Sequence, residues 1–168
     1  MVPQQTADGF LRIITENKGL IYKVAHLYCS NDEDRKDLCQ EIIYQLWRSF
    51  QRYDEQYKLS TWMYKIALNV AISFYRKGQR HARAQPLTPD LLQLVPDKEP
   101  DGTEQQIRLL RQYINTLHEL DRALMILYLE EKSHKEIADI LGLTTTNVAT
   151  RIGRVKEKLK QKFANTNN

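Results

Sequence analysis

Cysteine is nearly absent from this 168-residue chain. Cys29 and Cys39 are too few for a disulfide framework and too far apart for a CxxC motif, which argues against a small secreted scaffold and fits a reducing compartment. Long apolar runs are missing too. No stretch approaches the roughly 20 residues of a membrane-spanning helix, and the N-terminus lacks a signal-peptide pattern. A cytoplasmic protein with no direct membrane insertion is expected. Neither sign of charge dominates: the net charge is +4, with 27% charged and 42% hydrophobic residues, ordinary for a globular protein of one medium or two small domains. The positive surplus is local, since Arg151 to Phe163 holds six basic residues against the single acid Glu157. Alternation of period two is also absent, so an all-α fold is expected.

Proline is scarce except in one place. Four of the five prolines (Pro86, Pro89, Pro96, Pro100) fall within fifteen residues that also hold Asp90, Asp97 and Glu99, with Asp101 immediately after, which interrupts helix repeatedly. The chain therefore divides into residues 1–77, a linker over 78–103 and residues 104–168. A flexible segment of about 25 residues has a root-mean-square span of about 25–30 Å and stretches to nearly three times that, so the halves can occupy separate sites on a large partner. Leu87, Leu91, Leu92, Leu94 and Val95 are too apolar for a purely solvated tether and suggest docking on a surface.

Helical periodicity organises the first half. One helix is expected from Asp8 to about Cys29, with Phe10, Ile13, Ile14, Ile21, Val24, Ala25 and Tyr28 on one side. Asn31 or Asp32 caps a second, in which Leu38, Ile42, Ile43, Leu46, Trp47 and Phe50 trace one face and Asp34, Asp37, Gln40, Glu41 and Gln45 the other. Ser60 caps a third, Thr61 to Lys77, with Trp62, Ile66, Val70 and Phe74 as its core face. Its opposite stripe, Lys65, Asn69, Ser73 and Arg76, is spaced so that a nucleic acid lying along it touches all four.

The second half carries helices over Glu104 to Leu117 and Asp121 to Glu131, then a helix-turn-helix. Ser133 can accept from the amide of Glu136 while the Glu136 carboxylate returns to the amide of Ser133, a capping box. Gly142 supplies the left-handed residue that ends the helix, and Thr144 caps the next. Ala138 permits close approach, and Ile137, Leu141, Leu143, Val148, Ile152 and Val155 provide apolar contacts. The outward face of the second helix, Thr144 to Lys162, presents Thr146, Asn147, Thr150, Arg151 and Arg154. A basic run ending a helix-turn-helix favours phosphate contact over simple solvation.

Other constellations have plain rivals. Asp34, Asp37 and Glu41 lie at spacings that suit a carboxylate metal site, but no ExxH motif joins them; Glu131 and His134 straddle the Ser133 cap. His26, Cys29 and Cys39 lack a fourth zinc ligand. Tyr53 and Tyr57, in the loop Gln51 to Leu59, are placed to hold an unstacked base. No Ser-His-Asp order, phosphate loop or acid/base pair stands out, so neither catalysis nor a cofactor is expected.

Two groups of motifs carry a family resemblance. Asp34-xx-Asp37-Leu38-x-Gln40-Glu41-Ile42 leading to Leu46-Trp47-Arg48-x-Phe50, then Ser60-Thr61-Trp62-Met63-Tyr64-x-Ile66-Ala67-x-Asn69, resembles region two of an extracytoplasmic-function (ECF) sigma factor of the sigma-70 family. Leu120-Asp121-Arg122, Leu127-Tyr128-Leu129-Glu130, Glu136-Ile137-Ala138-x-x-Leu141-Gly142 and Asn147-Val148-x-x-Arg151-Ile152-x-Arg154-x-Lys156 resemble region four. The resemblance implies a non-enzymatic factor that binds core RNA polymerase and recruits it to promoter DNA. Asp34, Asp37, Gln40, Glu41, Gln45 and Arg48 would meet the polymerase, supported from beneath by Leu38 and Trp47. Lys65, Asn69, Ser73 and Arg76, with the loop Gln51 to Leu59, would handle the minus-10 element, where a flipped base presents its pairing edge to a group such as the Asn69 amide. Thr146, Asn147, Thr150, Arg151, Arg154 and Lys156 would face the minus-35 element, the guanidinium forks matching guanine O6 and N7. Ala149 and Gly153 depart from many relatives and remove potential DNA contacts. Relatives are commonly held inactive by an anti-sigma factor, and no small-molecule substrate is implied. Two other readings compete: a two-domain helix-turn-helix regulator that binds DNA without polymerase, and a carboxylate-bridged metalloenzyme in the N-terminal bundle.

Overall fold

The structure, a computed structural model, describes residues 6–84 and 102–166. The proline-rich segment and its leucines lie outside the described residues. Every regular element described is a helix: α1 (Ala7–Glu16), α2 (Lys18–Tyr28), α3 (Asp32–Phe50), α4 (Leu59–Ala84), α5 (Gly102–Thr116), α6 (Glu119–Leu129), α7 (His134–Leu141) and α8 (Thr145–Thr166). The all-α expectation holds.

Two helix boundaries differ from the sequence reading. The single helix expected from Asp8 to Cys29 is two, broken at Asn17. There the Asn17 amide N–H and side-chain Nδ2 both donate to the Ile13 carbonyl, at 3.0 and 2.9 Å, ending one helix before the next begins. Asn favours such local bonds over a helix interior, and Gly19 two residues on adds little to hold the helix through. Conversely, α4 runs past Gly78 to Ala84. An added Cβ at Gly78 would meet nothing within 4 Å, so this glycine serves no close approach, and its cost of about 1 kcal/mol is absorbed by a long helix.

In the N-terminal half, α2, α3 and α4 pack on one another and α1 lies against α2 and α3. Leu38, Ile42, Leu46 and Phe50 repeat every four residues along α3 and are fully buried, each worth roughly 1.5–3 kcal/mol of apolar burial. On α4 the expected core stripe, Trp62, Ile66, Val70 and Phe74, is only half-buried. Met63, Tyr64, Ala67, Leu68, Ala71 and Ile72 form the core instead. The reason is tertiary: α4 is covered on one side by α2 and α3 and on another by α6 and α7.

The C-terminal half is built from helix ends as much as from side chains. Between α6 and α7 the chain turns through Glu131 at φ 59°, with Lys132 donating to the Leu127 carbonyl and Glu131 to that of Tyr128, the Schellman pattern with a glutamate in glycine's usual place. Between α7 and α8, Gly142 sits at φ 68° and Leu143 donates to the Ala138 carbonyl. A small cluster of Tyr113, Leu117, Met125 and Val155 ties α5 to α6 and α8. The main core is continuous from Phe10 in α1 to Ile152 in α8.

Candidate polymerase and nucleic-acid interfaces

Helix α3 begins where Asn31 Oδ1 accepts from the Asp34 amide at 2.8 Å, and Asp32, Glu33 and Asp34 occupy the positive end of its dipole. Beyond this cap Asp34, Asp37, Gln40, Glu41 and Arg48 are exposed and Gln45 is half-buried. Gln45 Nε2 donates to Glu41 Oε1 at 3.0 Å, and the Arg48 guanidinium lies 5.8 Å from the Tyr44 ring centroid. The result is an acidic, hydrogen-bonding strip with a cation at its end. Leu38 lies beneath it at 0% exposure, as expected, but Trp47 does not. Trp47 is 43% exposed, its ring edge-on to Phe10 at 5.0 Å, because position 47 falls between the buried seam and the solvent face. Among the described residues no three His, Cys, Asp or Glu side chains gather as metal ligands. Burial, reinforced by Asp34, pushes the Cys29 thiol up to about 11, which keeps it protonated near neutrality.

On α4, Lys65, Asn69, Ser73 and Arg76 are all exposed, a stripe about 16 Å long at 1.5 Å per residue. Three of them offer free polar groups. Arg76 instead donates from Nε to Glu119 Oε1 in the other half at 2.7 Å. Of the two loop tyrosines, Tyr53 packs on Trp62 with centroids 4.9 Å apart and donates to the Tyr57 carbonyl at 2.7 Å, leaving Tyr57 the more exposed.

The helix-turn-helix forms largely as its caps dictate. Ser133 Oγ accepts from the Glu136 amide at 3.1 Å and Thr144 Oγ1 from the Asn147 amide at 3.1 Å. The return arm of the capping box is replaced: the Glu136 carboxylate meets Lys58 Nζ at 3.4 Å. A full ammonium charge outcompetes a backbone amide for that carboxylate. Along α8, Thr146, Asn147, Thr150, Arg154 and Lys156 are exposed. Thr150 Oγ1 donates back to the Thr146 carbonyl, and Lys156 Nζ reaches over the Tyr128 ring at 4.3 Å. Arg151 is half-buried, its Nε donating to Asn147 Oδ1 at 2.9 Å and its NH1 to Asp121 Oδ1 at 3.1 Å. The two arginines that sequence leaves equivalent are thus distinct in structure.

Sequence reasoning missed the residues that join the halves. Arg122 is 6% exposed, the one buried charged residue among those described. It donates to the carbonyls of Asn115 and Leu117 in its own half, and across the junction to the Leu27 carbonyl at 3.3 Å and the Tyr75 hydroxyl at 3.1 Å. Its guanidinium also lies over the Tyr75 ring at 4.6 Å. Tyr28 donates to the Glu119 carbonyl at 2.6 Å, and burial raises its hydroxyl pKa far above the usual tyrosine range. For the Glu119 carboxyl, burial acts upward but is more than offset by the hydrogen bond from Arg76, a backbone amide and the charges of His118 and Arg76, so it lies below the usual carboxylate range. The available signal was an arginine inside the apolar run Leu120 to Leu129.

This is a two-part helical architecture: an N-terminal bundle with a polar helix face and a basic stripe, and a C-terminal helix-turn-helix. Known proteins share it. A sigma-70 region 2 model matches residues 13–81, and a sigma-70 region 4 model matches residues 107–159. The ECF RNA polymerase sigma factor SigW of Bacillus subtilis is 29% identical, covering 93% of this chain and 89% of the relative. The RNA polymerase sigma factor SigV of the same organism is 27% identical, covering 95% of each. Among solved structures, the sigma factor RpoE of Bartonella quintana, determined with the anti-sigma factor NepR, superposes with a TM-score of 0.68 at 18% identity over 90% of this chain and 94% of that one. The chain belongs to the sigma-70 family and is an ECF-type RNA polymerase sigma factor.

Proposed function

We propose that the chain acts in the cytoplasm as a transcription initiation factor whose two halves divide the work, binding rather than catalysing. The α3 strip (Asp34, Asp37, Gln40, Glu41, Gln45, Arg48) docks on core RNA polymerase, where an acidic, hydrogen-bonding face suits a basic partner. The α4 stripe of Lys65, Asn69, Ser73 and Arg76 handles the minus-10 element. Melting several base pairs at about 1.4 kcal/mol of stacking per step requires shared capture of the unpaired strand, which a row of four polar groups provides. Thr146, Asn147, Thr150, Arg151, Arg154 and Lys156 address the minus-35 element through the major groove. Arg154 is the base reader of choice, because Arg151 is already engaged by Asp121 and Asn147. Residues 1–77 and 104–168 serve as the two working units, and an anti-sigma factor is the expected antagonist.

The observation that carries this reading is the presence in one chain of both region matches, each with its polar face on the surface. Co-purification with core polymerase, followed by transcription from a promoter library, tests it. Sequence-selective initiation is expected. No association with core enzyme, or tight specific DNA binding by the free chain in a gel shift, would favour the stand-alone regulator. Asp37→Lys with Glu41→Lys should weaken core binding at least tenfold while leaving the helical circular dichroism and thermal midpoint unchanged. An unaltered affinity would remove α3 as the docking face.

A further inference from the structure

At the start of α8 three side chains from two helices form one hydrogen-bonded line. Asp121, in the first turn of α6, accepts from Arg151 NH1 at 3.1 Å, and the same guanidinium donates from Nε to Asn147 Oδ1 at 2.9 Å. Both members of the ion pair are half-buried, whereas Asn147 is exposed. Asn147 stands in the first turn of α8, where Thr144 Oγ1 accepts from its amide. Residues at that end of the second helix of a helix-turn-helix are the ones that meet base edges.

The line fixes which atom Asn147 offers. A guanidinium has only donors, so the Asn147 atom facing Nε must be the carbonyl oxygen. Its Nδ2 makes no hydrogen bond among the described residues and is the group left for a partner. An unrestrained asparagine reads adenine with both atoms, donating to N7 while accepting from N6. Here the accepting arm is engaged, and a donor remains. In the major groove guanine and thymine present keto oxygens, O6 and O4, that accept from such a donor. Cytosine presents an amino group that repels it, and adenine sets an amino group beside N7.

Resting on the sigma-factor reading above, we propose that Asn147 selects a keto-bearing base, guanine or thymine, at one position of the minus-35 element, and that Arg151 and Asp121 are positioning residues that set its polarity. Arg151 is thereby withdrawn from reading bases itself, because its Nε and NH1 are occupied and the Asp121 carboxylate offsets its charge. Arg154 lies seven residues on, about 10 Å along the helix, and reads a different base pair. Ala149 and Gly153 supply no polar side chain to this helix, so Asn147 carries a larger share of the selectivity. Nothing in the spacing of α8 discloses the arrangement, since Asp121 comes from α6, 30 positions before Arg151.

The test reconstitutes holoenzyme from core polymerase and the full chain and measures initiation from promoters carrying all four base pairs at each minus-35 position. Wild type should favour guanine or thymine about fivefold or more at one position, and Asn147→Ala should flatten the preference there alone. Asn147→Asp keeps an oxygen for Arg151 but turns the remaining donor into an acceptor. A carboxylate suits the first turn of a helix, so this variant should fold and shift the preference to cytosine. Asp121→Ala and Arg151→Met, two separate ways to release the amide, should each relax the keto preference toward adenine while preferences at the other positions persist. A purely structural role for the pair would instead lower initiation equally for every base. That outcome, or an Asn147→Asp profile identical to wild type, overturns the proposal. Wild-type holoenzyme that initiates from none of the promoters removes the sigma-factor reading itself; initiation without a keto preference at any position that Asn147 controls overturns the relay alone.

Discussion

Twelve of the fifteen aromatic residues precede residue 85, and the two halves cohere differently as a result. In the N-terminal half Trp47, Phe10, Phe50, Trp62 and Tyr53 form a chain of ring contacts at 4.9–6.4 Å, and the core residues of α3 behind them are fully buried. The C-terminal half has no tryptophan. Its helices are held by short aliphatic contacts, two left-handed turns and cations laid over rings: Lys156 on Tyr128 and Lys162 on Tyr113. The first half adds aromatic burial to its core, and the second adds local helix-end geometry to an aliphatic one. In the proposed complex the C-terminal half enters a DNA groove, a task that short, well-capped helices with polar outer faces suit.

The largest expected effect probes that contrast directly. Phe50→Ala, between Phe10 and Trp62 at 1% exposure, should cost about 3–5 kcal/mol in urea unfolding monitored by far-ultraviolet circular dichroism. Leu127→Ala should cost about 2–5 kcal/mol in the other half. Because the core runs across the junction, both substitutions should move one shared transition. Two separate transitions, each responding to only one substitution, would show that the halves unfold independently.

Next in size is Arg122→Met, which keeps apolar volume but removes every donor to the Leu27, Leu117 and Asn115 carbonyls. Hydrogen bonds to a charged group contribute about 1.5–3 kcal/mol, and a loss in that range is expected by the same denaturant assay. A neutral result would make the buried guanidinium dispensable for stability. A graded effect should accompany alkaline pH. Burial raises the Cys29 thiol to about 11 and the Tyr64 hydroxyl, with help from Glu130, to about 12, and both lie in the N-terminal half. The fold favours their neutral forms, so this contribution is complete below about pH 9, where the unfolded thiol begins to ionise, and is lost as pH rises through 11–12. Cys29→Ser should flatten the lower part of that decline; an unchanged profile would leave Cys29 without a part in it.

The sequence disclosed what is local and concealed what is distant. Asn31, Ser133, Thr144 and Gly142 were readable as caps because each acts on residues within five positions, where chain order fixes the geometry. The polar strip of α3 was readable for the same reason. Trp62, Ile66, Val70 and Phe74 formed a valid apolar stripe, yet α4 serves two neighbours and buries a broader face than one stripe describes. Glu136 matched a capping box but found Lys58, 78 residues away. The bonds from Arg122 to Leu27 and from Arg76 to Glu119 span 95 and 43 residues, and no spacing rule foreshadows them.

Gly153 offers the smallest and sharpest test. It lies inside α8, exposed, and a Cβ built on it would meet nothing within 4 Å, so neither close packing nor a special φ requires glycine. Glycine in a helix interior costs about 0.5–1 kcal/mol relative to alanine through backbone entropy. Gly153→Ala should therefore stabilise the protein by that amount, a rise of about 1–4 °C in thermal midpoint for a chain of this length. Next to Arg154, however, the same position faces the groove in the proposed complex. If alanine raises the midpoint and leaves promoter affinity unchanged, Gly153 is merely a weak point in a locally held half. If it raises the midpoint but weakens promoter binding, the missing side chain is a requirement of backbone approach to DNA, and the contrast between the halves becomes one between a region shaped for stability and a region shaped for contact.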